Sequence, residues 1–80
     1  MNLMLRPSTT TYTVVFNSNG GSNVSSQTVE SGETATEPTD PTKDGFEFAG
    51  WYSDSELQNE FDFTTPIEAD ITLYAGWVEQ

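Results

Sequence analysis

Alternation of apolar and polar residues is the dominant signal along this 80-residue chain. Tyr12, Val14 and Phe16 fall on one face at a period of two, the spacing of a half-buried strand. Asn17-Ser18-Asn19-Gly20-Gly21-Ser22 breaks that pattern, and Asn-Gly predicts a hairpin turn because both residues accept positive φ. The chain is then expected to return antiparallel over 24–30, with Val29 facing inward and a Ser/Thr/Gln-rich edge facing solvent. Ser31-Gly32 predicts another turn. Pro38 and Pro41 hold the residues before them extended. Residues 33–44 are therefore expected to cross the sheet without a helix and to turn at Lys43-Asp44-Gly45.

The densest apolar stretch follows, Gly45-Phe46-Glu47-Phe48-Ala49-Gly50-Trp51-Tyr52, and Tyr74-Ala75-Gly76-Trp77-Val78 echoes its heart. Aromatic residues at this density favour strands. A Gly before each Trp leaves room for a bulge or a neighbouring backbone, so that the indole can turn inward. In an unbroken strand Phe46, Phe48 and Tyr52 would share one face and Trp51 the other. Either Gly50 sits in a bulge or the strand is covered on both sides, and both remain open at this level. Ser53 to Glu60 begins with N-cap-like Ser and Asp followed by acids, which predicts one short helical turn. Phe61-Asp62-Phe63 alternates as a short strand stopped by Thr64-Thr65-Pro66, and Ile71, Leu73, Ala75 and Trp77 form a clean inward face.

Strands are thus expected near 12–17, 24–30, 46–52, 61–63 and 71–78, in a small, mainly-β domain of the α+β class with at most a short helix. Residues 1–11 read as a linker or flanking segment, with Pro7 leading a Ser/Thr run. The alternative there is that Leu3 and Leu5 pack onto the domain's end. Residues 12–80 form the domain.

Composition removes several devices and several partners. A domain this short is usually stapled by disulfides or a metal, yet the chain has no Cys and no His. Its core must rest on ten aromatic residues, each able to bury roughly 150–250 Å². Arg6 and Lys43 are the only cations against thirteen carboxylates, a net charge of −11. That balance argues against nucleic acid and against anionic membrane surfaces. No run approaches the ~20 apolar residues of a membrane span, and the Met1–Pro7 patch is too short for a signal peptide.

Candidate chemistry is sparse. With no His and a single Lys, the serines have no evident activating base. Asp54, Glu56, Glu60 and Asp62 cluster in sequence, and paired carboxylates can cleave glycosides, but so small a domain offers little room for a substrate cleft. Asp54, Ser55, Glu56, Asp62 and Asp70 supply oxygens of the kind calcium prefers, without the spacing of a helix-loop-helix calcium site. Asn19-Gly20-Gly21-Ser22 lacks the Lys and following helix of a phosphate loop. No catalytic, cofactor-binding or metal-ligating residue is assigned. Tyr52 and Tyr74 are the candidate partner-binding residues, on the condition that either faces solvent beside another apolar side chain.

Three segments in register carry a resemblance: Tyr12 to Gly21, Pro41 to Tyr52, and Asp70 to Trp77. Their order and spacing from Tyr12 to Val78 resemble the Listeria–Bacteroides repeat family, also called the internalin B-repeat. The resemblance implies a small β-grasp-like domain, found in tandem on secreted or cell-wall-anchored bacterial proteins, with no catalytic residues to carry over. Gly76 departs from the polar or charged residue of other members, a matter of surface detail on this reading. The implied role is a non-catalytic extracellular module at the bacterial cell surface, acting as a stalk or spacer. The alternative is a weak adhesive module that contacts a host or neighbouring-cell surface protein through avidity. Neighbouring repeats of the same chain would be the other partners, with no nucleic acid, no membrane insertion and no cofactor.

Overall fold

The computed structural model describes residues 10–80. The linker reading of the N-terminal segment and the packing of Leu3 and Leu5 lie outside the described residues. Four strands form one sheet: β1 (Thr11–Asn17), β2 (Gln27–Glu30), β3 (Phe46–Tyr52) and β4 (Ile71–Glu79). Their order is β2-β1-β4-β3. The outer pairs β1/β2 and β3/β4 are antiparallel, whereas the central pair β1/β4 is parallel, with Val14 opposite Ile71 and Phe16 opposite Leu73. The described residues contain no helix, so none is long and apolar enough to cross a membrane. The domain is therefore mainly β, and the short helical turn expected after Tyr52 does not form.

Strand alternation builds the core. Val14, Phe16, Val29, Leu73 and Ala75 point to one face and are buried, as period-two pleating requires. Trp51 joins them because the register of β3 against β4 shifts between Phe48 and Gly50. This bulge at Ala49 decides the alternative left open by the sequence. One extra residue places Phe48, opposite Trp77, and Trp51, opposite Ala75, on the same face. Phe16 and Phe48 then meet the Trp51 ring edge-on, with centroids 4.9 and 5.4 Å away, the geometry favoured by ring quadrupoles. Gly50 has φ +119°, a conformation that a side chain rarely adopts.

Two irregular segments cover this inner face. Residues 31–45 run as an extended crossover that buries Ala35 and Pro41. The segment before β4 contributes buried Ile67, with Phe61 and Phe63 packed against the cluster. The two segments are tied together, since Gly32 N–H donates to Ile67 O at 2.9 Å and Ile67 N–H to Glu33 O at 2.8 Å. Phe61-Asp62-Phe63 is not a strand. The Phe61 N–H reaches Trp51 O at 2.9 Å, and the chain then turns through Asp62–Thr65. Both rings face the core, with Phe63 stacked 6.5 Å from Phe16 and edge-on to Phe61.

The Asn-Gly turn forms, but it does not by itself join the hairpin. Asn19 (φ 52°) and Gly20 (φ 91°) take the positive dihedrals expected of them. Residues 22–26 then leave β1 to meet the crossover, through Ser22 N–H to Thr42 O at 2.8 Å and Thr42 N–H to Ser22 Oγ at 2.9 Å. Strand β2 is accordingly short, starting at Gln27 rather than at Val24. The turn extends β1 beside the last residues of β4: Asn19 Nδ2 donates to Ala75 O at 2.8 Å, and Trp77 Nε1 to Ser18 O at 2.7 Å.

Candidate functional site

Tyr52 and Tyr74 lie directly opposite each other in the β3/β4 register. Both are half-buried, on the sheet face opposite Trp51, Leu73 and Ala75. The same face carries Val15, 42% exposed and diagonal to Tyr74 across the central pair, and Val78, 55% exposed. Neither ring is fully exposed, and exposed apolar residues stand beside them.

Two glycines shape the floor of this face. Gly50 and Gly76 are register partners, so one row of the sheet has no side chains at all. The Tyr52 ring leans across that row, and a Cβ on Gly76 would lie 2.7 Å from its Cε1. The sequence had assigned Gly76 room for a turning indole or a surface role. In the structure it is buried beneath Tyr52. From the other side comes Glu60, whose backbone bridges to Tyr52 at the sheet edge. Its carboxylate occupies the space left by Gly50, with Oε2 3.1 Å from where a Cβ would be. Glu47, opposite Val78, is exposed on the same face. Glu60's part was not legible beforehand, because the segment that carries it is irregular.

An open cavity of about 490 Å³ lies at the other end of β3, lined by Asp40, Lys43, Asp44, Phe46, Phe48 and Trp77 among others. Lys43 is the one cation among its lining residues, beside Asp40, Asp44 and Glu47. Its Nζ donates to Asn19 O at 3.2 Å and lies 4.4 Å from the Phe46 centroid and 5.8 Å from that of Trp77. The cation is thus already matched to two ring faces.

Three of the carboxylates considered for calcium or glycoside chemistry, Asp54, Asp62 and Asp70, serve the backbone instead. Asp54 accepts from Gln58 N–H and Asn59 N–H, holding a tight turn in which Leu57 adopts φ 60°. Asp70 accepts from Thr13 N–H at 2.9 Å, tying the start of β4 to β1. Asp62 accepts from the Thr64 hydroxyl and backbone N–H, and these two bonds hold its carboxyl below the usual aspartate range. Among the described residues no group of three or more acids is placed to hold a metal ion. None of Asp54, Glu56, Glu60 and Asp62 lines the cavity described above.

Comparison with known proteins matches residues 12–76 to the Listeria-Bacteroides repeat domain. A protein of Evansella cellulosilytica described as a Gly-rich membrane protein is 51% identical over 67 residues, which are 82% of this chain and 8% of that protein. A second from the same organism, described as a membrane protein, is 49% identical over 82% of this chain and 10% of its own length. Internalin H of Listeria monocytogenes is 45% identical over 73 residues, 88% of this chain and 13% of that protein. The chain therefore spans between 8% and 13% of the lengths of these relatives.

Proposed function

We propose that this chain, which belongs to the Listeria-Bacteroides repeat domain family, is a non-catalytic module that sets distance in a larger extracellular protein at the bacterial cell surface. The observation that carries the reading is the parallel pairing of β1 with β4. A chain running into β1 and out of β4 arrives at one end of the sheet and departs at the other. Three residues of β1 precede the Val14–Ile71 pair and eight of β4 follow it. At about 3.3 Å per residue this separates the two ends by roughly 35 Å. Modules joined in series would therefore add length, where a fold with both ends on one side would stack back on itself.

Charge supports the same reading. A net charge of −11 per unit makes neighbours repel, over a screening length of about 8 Å at physiological salt. The relatives named as membrane proteins and as an internalin are consistent with a place at the cell envelope. The strand order with its parallel central pair supports a β-grasp-like architecture, with an extended crossover where such folds carry a helix. Small-angle scattering of one-, two- and three-module chains tests the spacer. Maximum dimension should grow by roughly 35 Å per module, and growth of less than half that would overturn the reading.

A second reading, adhesion, is favoured by the Tyr52–Tyr74 pair with Val15 beside it. A single module and a three-copy array, compared on intact host cells and secreted mucus proteins, separate the two. Saturable binding that strengthens sharply with copy number is the adhesive outcome. No binding by either chain would leave the spacer alone.

A further inference from the structure

We infer that the tyrosine face of the sheet is a docking surface for a short cationic segment, Arg- or Lys-bearing and extended, of a partner protein. The inference deepens the adhesive reading and rests on it. Three features of the face point to this occupant rather than to another.

The first is the pairing of ring faces with carboxylates. Tyr52 and Tyr74 stand side by side, and ring faces of this kind attract a guanidinium or ammonium group. Glu60 is exposed, but its backbone places it at the sheet edge. Its backbone bridges to Tyr52 and its carboxylate folds over Gly50, where no side chain competes for the space. Glu47 stands two register rows from Tyr52 on the same face, allowing for the bulge. A cationic side chain laid over the Tyr52 ring, where that ring covers Gly76, would have the Glu60 carboxylate beside it and Glu47 one register row further along.

The second is the distribution of charge. All thirteen carboxylates fall between Glu30 and Glu79, and Lys43 is the only cation among the described residues. Lys43 cannot fill this face itself. It is held at the far end of β3 on Asn19 O and over the Phe46 ring. The third is what the same charge rejects. A second copy of the chain would bring another −11 against the face, and nucleic acid or an anionic membrane would be repelled more strongly still. Val15 and Val78, towards opposite ends of the face along β4, offer exposed apolar contacts to the intervening residues of an extended segment.

The test is an amide-NMR titration of the module with a capped Arg-Thr-Arg-Thr-Arg-Thr peptide, and with the same peptide carrying citrulline in place of arginine. The expected result is saturable shifts confined to Val15, Thr72, Tyr74, Tyr52 and Glu60, lost with the citrulline peptide. Glu60→Gln and Tyr74→Thr should each weaken binding by about tenfold. Glu68→Gln removes the same charge from the covering segment and should change affinity by less than about twofold. Equal losses for Glu60→Gln and Glu68→Gln, or shifts spread over the acidic loops, would mean bulk attraction only and would overturn the inference. Should Tyr74→Thr lose its dispersed amide spectrum, the Glu60/Glu68 pair and the citrulline peptide decide. Peptide docking that fails while a three-copy array still binds cells overturns the cationic occupant and leaves adhesion standing.

Discussion

A methyl group added at Gly21 would sit 2.4 Å from the Trp77 ring and 3.0 Å from the Thr42 carbonyl oxygen. Neither neighbour yields easily. The indole is pinned by its bond to Ser18 O, and Thr42 is tied to Ser22 through both its N–H and its carbonyl. Gly21→Ala is expected to cost about 1–3 kcal/mol, read as a lower urea midpoint at unchanged slope. At Gly76 the obstruction is the Tyr52 ring, the far end of a side chain that can swing away, so Gly76→Ala should cost less. An alanine scan in which the two positions rank the other way would refute this account. Asp62 offers a second check. Its carboxyl is depressed in the folded state by two bonds from Thr64. A depressed carboxyl contributes stability above its unfolded pKa, and that stability is lost as pH falls through the folded value. In Thr64→Val the Asp62 titration, followed by carboxyl-carbon NMR, should move upward; an unmoved midpoint would exclude the hydroxyl as a cause. Residue types and turn chemistry at this scale were legible: Asn19-Gly20 takes its positive dihedrals and both indoles pack inward or against the turn. The role of Gly76 was not legible, because it depends on a ring from another strand.

At the scale of elements, alternation identified β1 and β4 and aromatic density β3, while alternation failed at Phe61-Asp62-Phe63. Alternation says only that two side chains point the same way. Here the rings turn into the core without a partner strand, because Thr64-Thr65-Pro66 bends the chain at once and Phe61 alone bonds back to Trp51. Amide exchange should separate the cases. Phe61 is expected to be protected, with Asp62 and Phe63 exchanging at least about tenfold faster, whereas equal protection along the three would restore a strand. Residues 24–26 failed for a related reason. Their Ser-rich pattern fits an edge strand, but Ser22 is captured by Thr42 twenty residues on, a contact that no local pattern encodes. The bulge at Ala49 lay between: Gly50 announced a choice, and only the β4 register made it.

For the whole molecule, repulsion among thirteen carboxylates opposes the compact state. Raising salt from about 0.05 to 0.5 M should therefore raise Tm by roughly 3–5 °C in calorimetry. A fall would point to favourable ion pairs outweighing repulsion. This effect runs against that of Asp62 on acidification, since protonating the other acids relieves repulsion while Asp62 loses its bonds. The fold class was legible at this scale because ten aromatics in alternating runs leave few other ways to build a core. The candidate face was legible in its tyrosines and not in its carboxylate. Tyr52 and Tyr74 stand out in any strand reading, whereas Glu60 reaches the face through an irregular return.

The parallel pairing of β1 and β4 bears on what happens when the protein is pulled. Tension entering at Thr11 and leaving at Glu79 runs along both central strands in opposite senses, so the bonds between them are loaded together, in shear. An antiparallel pair gripped at one end would part rung by rung like a zip. Stretched in an optical trap through Thr11 and Glu79, the module should resist far higher force than when gripped through residues 17 and 74, which are neighbours at one end of that pair. A tether that gives way only abruptly would hold its full length under fluid drag, and equal rupture forces in the two geometries would show that the central pair bears no load.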